Sequence, residues 1–405
     1  MIKRIVQLKL HFLAKRILRK YKPQIVGITG SIGKSSAKQA VAAVLSEQLS
    51  VRAAAKNYNN EFGVPFTVIG VDSPGKNPFK WIAVFGRACS LLLSRHAYPQ
   101  VLVLEMGIDR PGDMDNLLDM AKPHVAVLTG VGISHLQYFA SEQHLFDEKT
   151  KIFKFLKSGD IAVINADDKN FEQAKAKAGR TGAGIISYGA GAHANLRIAE
   201  YKTEKSAEGY WGTSVRMHYQ GNESTIFLPD VLGYPHASAA AAGVAVGLAF
   251  DIKFAEAVAA LHKYEAQPGR MQLKHGKGGS AVIDDTYNAA PDSMSAALVE
   301  MQNFPASKKI AILGDMLELG NSEKSGHEMI ADKISDAKID ACILVGQCMK
   351  AAQQGLQQLG YTKAQWVADS NAAALLARQY DQADTAILVK GSRGIKMEKV
   401  VHALV

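Results

Sequence analysis

Within the stretch "GITGSIGKSSAKQAV" (27–41), Gly30, Ser31, Gly33, Lys34, Ser35 and Ser36 are residue types that together hold an anion. Glycines let the backbone curl until several N–H groups face one point, and a following helix adds the positive end of its dipole. Lys34 is placed for the terminal phosphates of a nucleoside triphosphate, and the Ser35 hydroxyl for Mg2+. The usual phosphate loop, GxxxxGK[ST], sets its glycines five residues apart; here Gly30 and Gly33 are three apart, and Ile28 takes the first glycine's place. A loop of this kind specifies nucleotide binding but no particular reaction.

Other polar residues sit where apolar runs end. Glu105 closes "VLVLE" (101–105), and an acid at the carboxyl edge of a parallel sheet is placed to hold a metal beside phosphates. His135 in "TGVGISHLQYF" (129–139) follows a strand end and a glycine turn, where a lone histidine serves either packing or ligation. Asp284 and Asp285 close "AVIDD" (281–285) and suit a ribose hydroxyl, with Tyr287 nearby as a stacking surface for a base. Lys390 and Arg393 in "VKGSRG" (389–394) offer cations to a carboxylate or a transferring phosphate. Residue type and spacing describe a two-domain phosphotransfer machine that closes over a triphosphate and Mg2+. They do not name the acceptor.

The elements that must position these groups alternate between strand-like and helix-like segments from residue 24 onward, which predicts parallel α/β architecture. "VLVLE", "HVAVLT" (124–129) and "IAVINAD" (161–167) read as buried strands. "SVRMHYQGNESTIFL" (214–228) reads as a hairpin turning at its Gly-Asn pair, and His236 to Phe250 as a tightly packed Ala-rich helix. Pro, Gly and basic residues cluster over 265–280, which predicts a boundary. Beyond it "AVIDD", "KIAILGD", "ACILVG" and "AILVKGS" begin a second, smaller α/β domain. The three cysteines, Cys89, Cys342 and Cys348, form no CxxC pattern and fit a reducing compartment.

The net charge of +9 is concentrated at one end of the chain. Residues 1–22 carry eight Lys or Arg and no acid, so the remainder is close to neutral and a nucleic-acid partner is not indicated. In that segment Ile2, Val6, Leu10, Leu13, Ile17 and Tyr21 draw one helical stripe. The stripe packs on the protein body, or the basic helix lies on an anionic membrane surface. Residues 79–99 add a second stripe, Trp81, Val84, Phe85, Ala88 and Leu92, flanked by Lys80, Arg87 and Arg95. Neither segment has an apolar run long enough to span a bilayer.

Nine ordered motifs carry a resemblance that runs from about residue 24 to the C-terminus: "GITGSIGKSS", "NYNNEFGVPFT", "LEMGIDRPGDM", "VGISHL", "INADD", "PGRM", "IDDTYNAAPDSM", "LGDMLELG" and "VKGSRGIKMEKVV". Together they resemble the Mur ligases, ATP-dependent amide-forming enzymes of peptidoglycan synthesis, whose loop has the short TGSxGK[TS] spacing. The resemblance implies a P-loop central ATPase domain with a parallel sheet (23–266) and a smaller Rossmann-like C-terminal α/β domain (267–405), behind a basic amphipathic helix (1–22). It implies a carboxylate activated by ATP as an acyl phosphate and displaced by an amine. The expected substrates are UDP-N-acetylmuramoyl-tripeptide and D-alanyl-D-alanine, and the expected setting is the cytoplasm, with peripheral contact to the inner face of the membrane through 1–22 and 79–99.

The same resemblance assigns roles to single residues. Ser35 and Glu105 would hold one Mg2+, and Glu105 with His135 and a carbamylated Lys149 a second. Arg270 would bridge phosphates, Asp285 would contact ribose, and Lys390 and Arg393 would bind the reacting groups. Asn57, Asn59 and Asn60 would line the junction of substrate and ATP, and Asn288 the substrate side. The pattern departs at Ala237 and Ala240, where asparagines contact adenine, at Lys151, which replaces a glutamate, and at Gly130, which replaces an asparagine. The family's N-terminal UDP-sugar-binding domain has no counterpart before the loop, which points to a partner protein or another grip on the sugar nucleotide. The competing readings are a related ligase with a folate-like or lipid-linked acceptor, and a nucleotide-binding scaffold without turnover.

Overall fold

The computed structural model describes residues 2–54, 58–132 and 138–405, without the side chains of Ile2 and Asn321. His135 and Asn57 therefore lie outside the described residues.

Helix α1 (Ile2–Tyr21) leads into β1 (Gln24–Thr29), the loop bearing Gly30 and Gly33, and α2 (Lys34–Leu45). The chain continues through β2 (Val51–Ala53), α3 (Gly63–Ile69), α4 (Pro78–Leu93), β3 (Val101–Glu105), α5 (Asp113–Met120), β4 (Val125–Leu128), α6 (Glu142–Thr150), β5 (Ile161–Asn165), α7 (Phe171–Gly179) and β6 (Gly184–Gly189). Strands β7 (Leu196–Lys205), β8 (Trp211–Tyr219) and β9 (Asn222–Pro229) follow, then α8 (Tyr234–Ala249) and α9 (Phe254–Ala259). The strands form one nine-stranded sheet in the order β2-β3-β1-β4-β5-β6-β7-β8-β9, parallel from β2 to β7 and antiparallel beyond. In β3 all five residues are buried, as they must be in a strand covered by helices on both faces.

The register puts functional groups side by side. Ile28 of β1 pairs with Glu105 of β3, and Thr29 pairs with Leu128 of β4, so the phosphate loop and Glu105 leave the same sheet edge together. Helices α2 and α8 cover one face, and α1 and α3 to α7 contribute to the core on the other. Close packing of α8 on α2 requires Gly243, because a Cβ there would lie 2.8 Å from the backbone carbon of Ala40. The Ala-rich stretch thus seats the helix that begins at Lys34.

The second sheet comprises β10 (Gln272–His275), β11 (Ala281–Asp285), β12 (Lys308–Gly314), β13 (Ala341–Val345), β14 (Ala364–Val367) and β15 (Thr385–Lys390). Its order is β10-β11-β15-β12-β13-β14, with only β10 antiparallel to its neighbour. Helices α10 (Pro291–Asn303), α11 (Glu323–Asp336), α12 (Met349–Gln358), α13 (Ser370–Ala377) and α14 (Glu398–Leu404) flank it. Asp285 ends β11 in register with Lys390 ending β15.

One expectation is adjusted, and one of two alternatives is seen. The β8–β9 hairpin turns at Gln220–Gly221, one residue before the Gly-Asn pair, because Tyr219 pairs with Asn222 and both turn residues take positive φ (48° and 80°). The apolar stripe of α1 packs on the body: Leu10, Ala14 and Ile17 are fully buried in the core shared with α3, α4 and α5. Among the described residues no helix is long and apolar enough to cross a membrane.

Candidate functional site

The loop after β1 is closed by contacts only glycine permits. Gly30 has φ +151°, and a Cβ on it would lie 2.1 Å from Thr129 Oγ1. The Ser31 N–H donates to the Gly130 carbonyl at 2.7 Å and the Thr129 hydroxyl to the Ile32 carbonyl at 2.6 Å, so the exit of β4 braces the loop. Gly130 itself has φ +150°, so this position favours glycine.

Lys34 folds back, donating to the carbonyls of Gly30 at 2.8 Å and Ser31 at 3.2 Å. The buried Ser35 hydroxyl lies 3.2 and 3.1 Å from the two oxygens of the buried Glu105 carboxylate. Asn59 Nδ2 approaches the same carboxylate at 3.4 Å. Lys38, one helical turn beyond Lys34, is fully buried, and its Nζ lies 3.7 Å from Glu105 Oε2. Lys149, also buried, donates to the Gly30 carbonyl at 3.0 Å.

Burial pushes Lys34 and Lys38 below the ordinary lysine range, with Glu105 working against the shift. Burial and the nearby Lys34 take Lys149 well below that range. Lys34 and Lys38 thus converge with Arg270 on one carboxylate and an anion-binding loop from which water is largely excluded, and a polyphosphate is the anion that offsets such a surplus.

The second sheet supplies the opposite wall. An Arg270 guanidinium nitrogen lies 3.3 Å from Ser35 Oγ, and the guanidinium stacks over the Tyr287 ring at 4.1 Å. Arg393 stands 5.8 Å from the same ring. Lys390 donates to Asp285 Oδ2 at 2.5 Å and to the Asn288 carbonyl at 3.1 Å, and Asp285 Oδ1 accepts the Met271 N–H. A cavity of about 180 Å3 brings together Ser31, Gly33 and Ser36 from the loop with Arg270, Asp285, Tyr287, Asn288 and Lys390. Asn60 is placed otherwise: its Oδ1 accepts the N–H groups of Phe62 and Gly63 and caps the entry to α3.

A larger cavity of about 430 Å3 opens beside the loop between Gly33, Thr129, Asn165, Asp168, Tyr188 and Ser238. It is mostly apolar with a few polar groups, the character of a site for a flat heterocycle. Ala237 and Ala240 are fully buried, and α8 lines this cavity with Ser238 and Ala239 instead. Lys151 pairs with Asp115 and Glu148, each at 2.7 Å, and ties α6 to α5.

Several contributors carry no distinguishing mark in sequence. Lys38 is one; its only signal is its position four residues after Lys34, on the same helix face. His236 is another. Its Nε2 donates to the Arg270 carbonyl at 2.8 Å and its Nδ1 accepts from the Tyr264 hydroxyl at 2.6 Å, while Tyr264 also contacts Ser36. Burial lowers the imidazole pKa to about 4, so it is neutral near pH 7 and positions Arg270. Elsewhere Asp315, His327 and Cys348 lie close enough to suggest a metal, but His327 accepts the Met316 N–H and donates to the Glu323 carbonyl, and Asp315 accepts the Met349 N–H. That group fastens loops.

The donor set fits ATP and Mg2+. A hydroxyl and a carboxylate share one buried spot, which is oxygen ligation suited to a hard cation. The buried Arg270 Nε has no hydrogen-bond partner among the described residues, which leaves a donor for a phosphate oxygen.

Comparison with known proteins agrees with this geometry. Residues 85–247 match the Mur ligase middle domain, and 269–393 match the domain described as Mur ligase, glutamate ligase domain. The chain is 29% identical over 395 residues to the UDP-N-acetylmuramoyl-tripeptide–D-alanyl-D-alanine ligase of Bacillus subtilis, covering 97% of this chain and 78% of that one. It is 26% identical to the protein of the same name from Escherichia coli, covering 97% and 79%. Among solved structures it superposes on MurF from Acinetobacter baumannii with TM-score 0.81 at 24% identity, covering 98% and 80% of the two chains. MurF ligase from Thermotoga maritima in complex with ADP gives 0.80 at 24% identity, covering 98% and 83%.

Proposed function

The chain belongs to the Mur ligases, which are ATP-dependent carboxylate–amine ligases, and on that premise we propose that it joins D-alanyl-D-alanine to the tripeptide of UDP-N-acetylmuramoyl-tripeptide. The observation that carries this reading is the meeting of Lys34, Ser35 and Glu105 with Arg270 at the junction of the two sheets. The curated relatives matched over nearly the whole chain bear that activity in their names.

The loop N–H groups and the start of α2 receive the phosphates, and Lys34 exchanges two carbonyl partners for a phosphate oxygen. Arg270 and Lys390 contribute charge from the opposite wall. These cations offset the repulsion between the substrate carboxylate and the triphosphate, the main barrier to bringing two anions together. A carboxylate oxygen then bonds to the γ-phosphorus as the bond to ADP breaks. The dipeptide amine next attacks the acyl carbon, inorganic phosphate leaves, and the amine proton passes to solvent or a nearby base. Ser35 and Glu105 would hold Mg2+, which when bound would further neutralise phosphate charge.

We assign Lys149 as the carbamylated lysine, because only a neutral amine adds CO2 and burial lowers the pKa of this one, which favours the neutral form. The cavity at Tyr188 and Ser238 is assigned to the base, and Asp285 and Asn288 to the junction with the substrate. The test is phosphate release from ATP in bicarbonate buffer with each substrate alone and with both. Release that requires both supports the reading. Release with a folate-like acceptor and none with the sugar nucleotide replaces it.

A further inference from the structure

Helix α1 buries Leu10, Ala14, Ile17 and Leu18 on one face. Its outer face carries Ile5, Leu8 and Phe12, with Leu8 61% and Phe12 58% exposed, among exposed Lys3, Arg4, Lys9, Arg16 and Arg19. Helix α4 repeats the arrangement. Val84, Ala88 and Leu91 face inward, while Phe79 is 78%, Ile82 68% and Leu93 86% exposed beside Lys80. The two helices are fastened at their C-terminal ends, where Lys20 Nζ donates to the carbonyls of Leu91, Leu92 and Ser94 and the Tyr21 hydroxyl to that of Leu91.

Soluble proteins scatter exposed apolar residues singly, whereas here six large ones stand on two neighbouring helices. Residues 1–22 and 73–100 together hold twelve Lys or Arg and no Asp or Glu, so the rest of the chain has a formal charge of −3. Among the described residues none of Arg4, Lys9, Arg16, Arg19, Lys76, Lys80 or Arg95 forms an ion pair. A second copy of the same face would meet this one with like charge.

We propose that the outer faces of α1 and α4 form one surface that docks on an anionic lipid bilayer. Phe79, Ile82, Leu93, Ile5, Leu8 and Phe12 enter the boundary between headgroups and acyl chains. The long basic side chains reach from the same helices to lipid phosphates. Neither helix lines either cavity of the site, so docking leaves both open. The chemistry fits a helix pair lying in the interface, since no described helix can span it.

The experiment is co-sedimentation of the full chain with vesicles of equimolar phosphatidylglycerol and phosphatidylcholine, against vesicles of phosphatidylcholine alone. Two variants are compared, Leu8→Ser/Phe79→Ser/Ile82→Ser and Arg4→Glu/Lys9→Glu/Arg16→Glu, with thermal melts and ATP binding as checks of fold. The expected result is binding to anionic vesicles about tenfold or more tighter than to neutral ones, weakened about tenfold in each variant with melts unchanged. Raised salt should weaken the parent and leave the charge-reversed variant nearly unaffected. Equal partition with and without anionic vesicles would overturn the proposal, as would binding that both variants retain. Sedimentation of the parent as a dimer that either variant converts to monomer would assign the face to a second copy and overturn it too.

Discussion

Lys38 Nζ stands 3.7 Å from Glu105 Oε2, and neither side chain is more than 2% exposed. A buried pair of this kind is weak evidence of net stability, because desolvation of both ions opposes their attraction. Its consequence lies in what happens when one partner is removed. Ser35 donates to the same carboxylate, so one side chain links the phosphate loop, the sheet edge and the buried cation.

Glu105→Gln is expected to cost about 3 kcal/mol of stability, because the buried carboxylate that faces Lys38 and Ser35 is lost. It should also lower turnover about 100-fold or more, through loss of the carboxylate that faces the phosphates. Lys38→Met combined with Glu105→Gln should regain much of the stability and none of the turnover. Denaturant melts and phosphate release measure the two quantities separately.

Lys149 gives a prediction in both activity and stability. Burial and the nearby Lys34 lower its pKa well below the ordinary lysine range, which favours the neutral amine. Turnover should therefore fall when CO2 and bicarbonate are removed, and fall again as pH drops through that lowered pKa. The unfolded chain holds this proton at pH values where the folded chain does not, so stability rises with pH across the window up to the ordinary lysine value of 10.5. Lys149→Met should abolish the carbamate signal in a 13C spectrum of the protein in labelled bicarbonate, while melting no lower than the parent near neutral pH.

His236 titrates in the other accessible window. Its folded pKa is about 4 against 6.5 for the free imidazole, so the unfolded chain binds more protons between those values. Stability is then lost as pH falls from 6.5 toward 4, by about 3 kcal/mol when the window is crossed. His236→Gln should flatten this part of the pH–stability profile. His236→Leu should also raise the KM for ATP, because the Arg270 carbonyl loses the donor that places it.

Ser238→Phe is expected to fill part of the cavity that also contains Tyr188 and Asn165, and to raise the KM for ATP about tenfold with the melting temperature held. An unchanged KM would move the base to the other cavity.

The loop residues and Glu105 were legible in sequence because each is local: glycines, a lysine and a hydroxyl in one turn, and an acid that ends an apolar strand. The two-sheet architecture was legible for the same reason, since alternation of apolar runs fixes it. Lys38 and His236 were not. Lys38 meets Glu105 through strand order, across 67 residues of chain, and nothing in "AKQAV" distinguishes a buried lysine from a solvated one. Ala237 and Ala240 looked like lost base contacts, yet α8 turns them into the core and presents Ser238 and Ala239 instead. The apolar stripe of α1 was visible, but the helices that cover it begin 42 or more residues after its end. The hairpin slipped by one residue because Gln220 accepts the positive φ that the Gly-Asn pair was expected to supply.

The most direct test of the central claim is mass analysis of the product made from UDP-N-acetylmuramoyl-tripeptide, D-alanyl-D-alanine, ATP and Mg2+ in bicarbonate buffer. The expected outcome is UDP-N-acetylmuramoyl-pentapeptide, one phosphate released for each amide formed, and no product from Lys34→Ala. Bound ATP with neither phosphate nor pentapeptide, from a protein that melts as a folded chain, would contradict it.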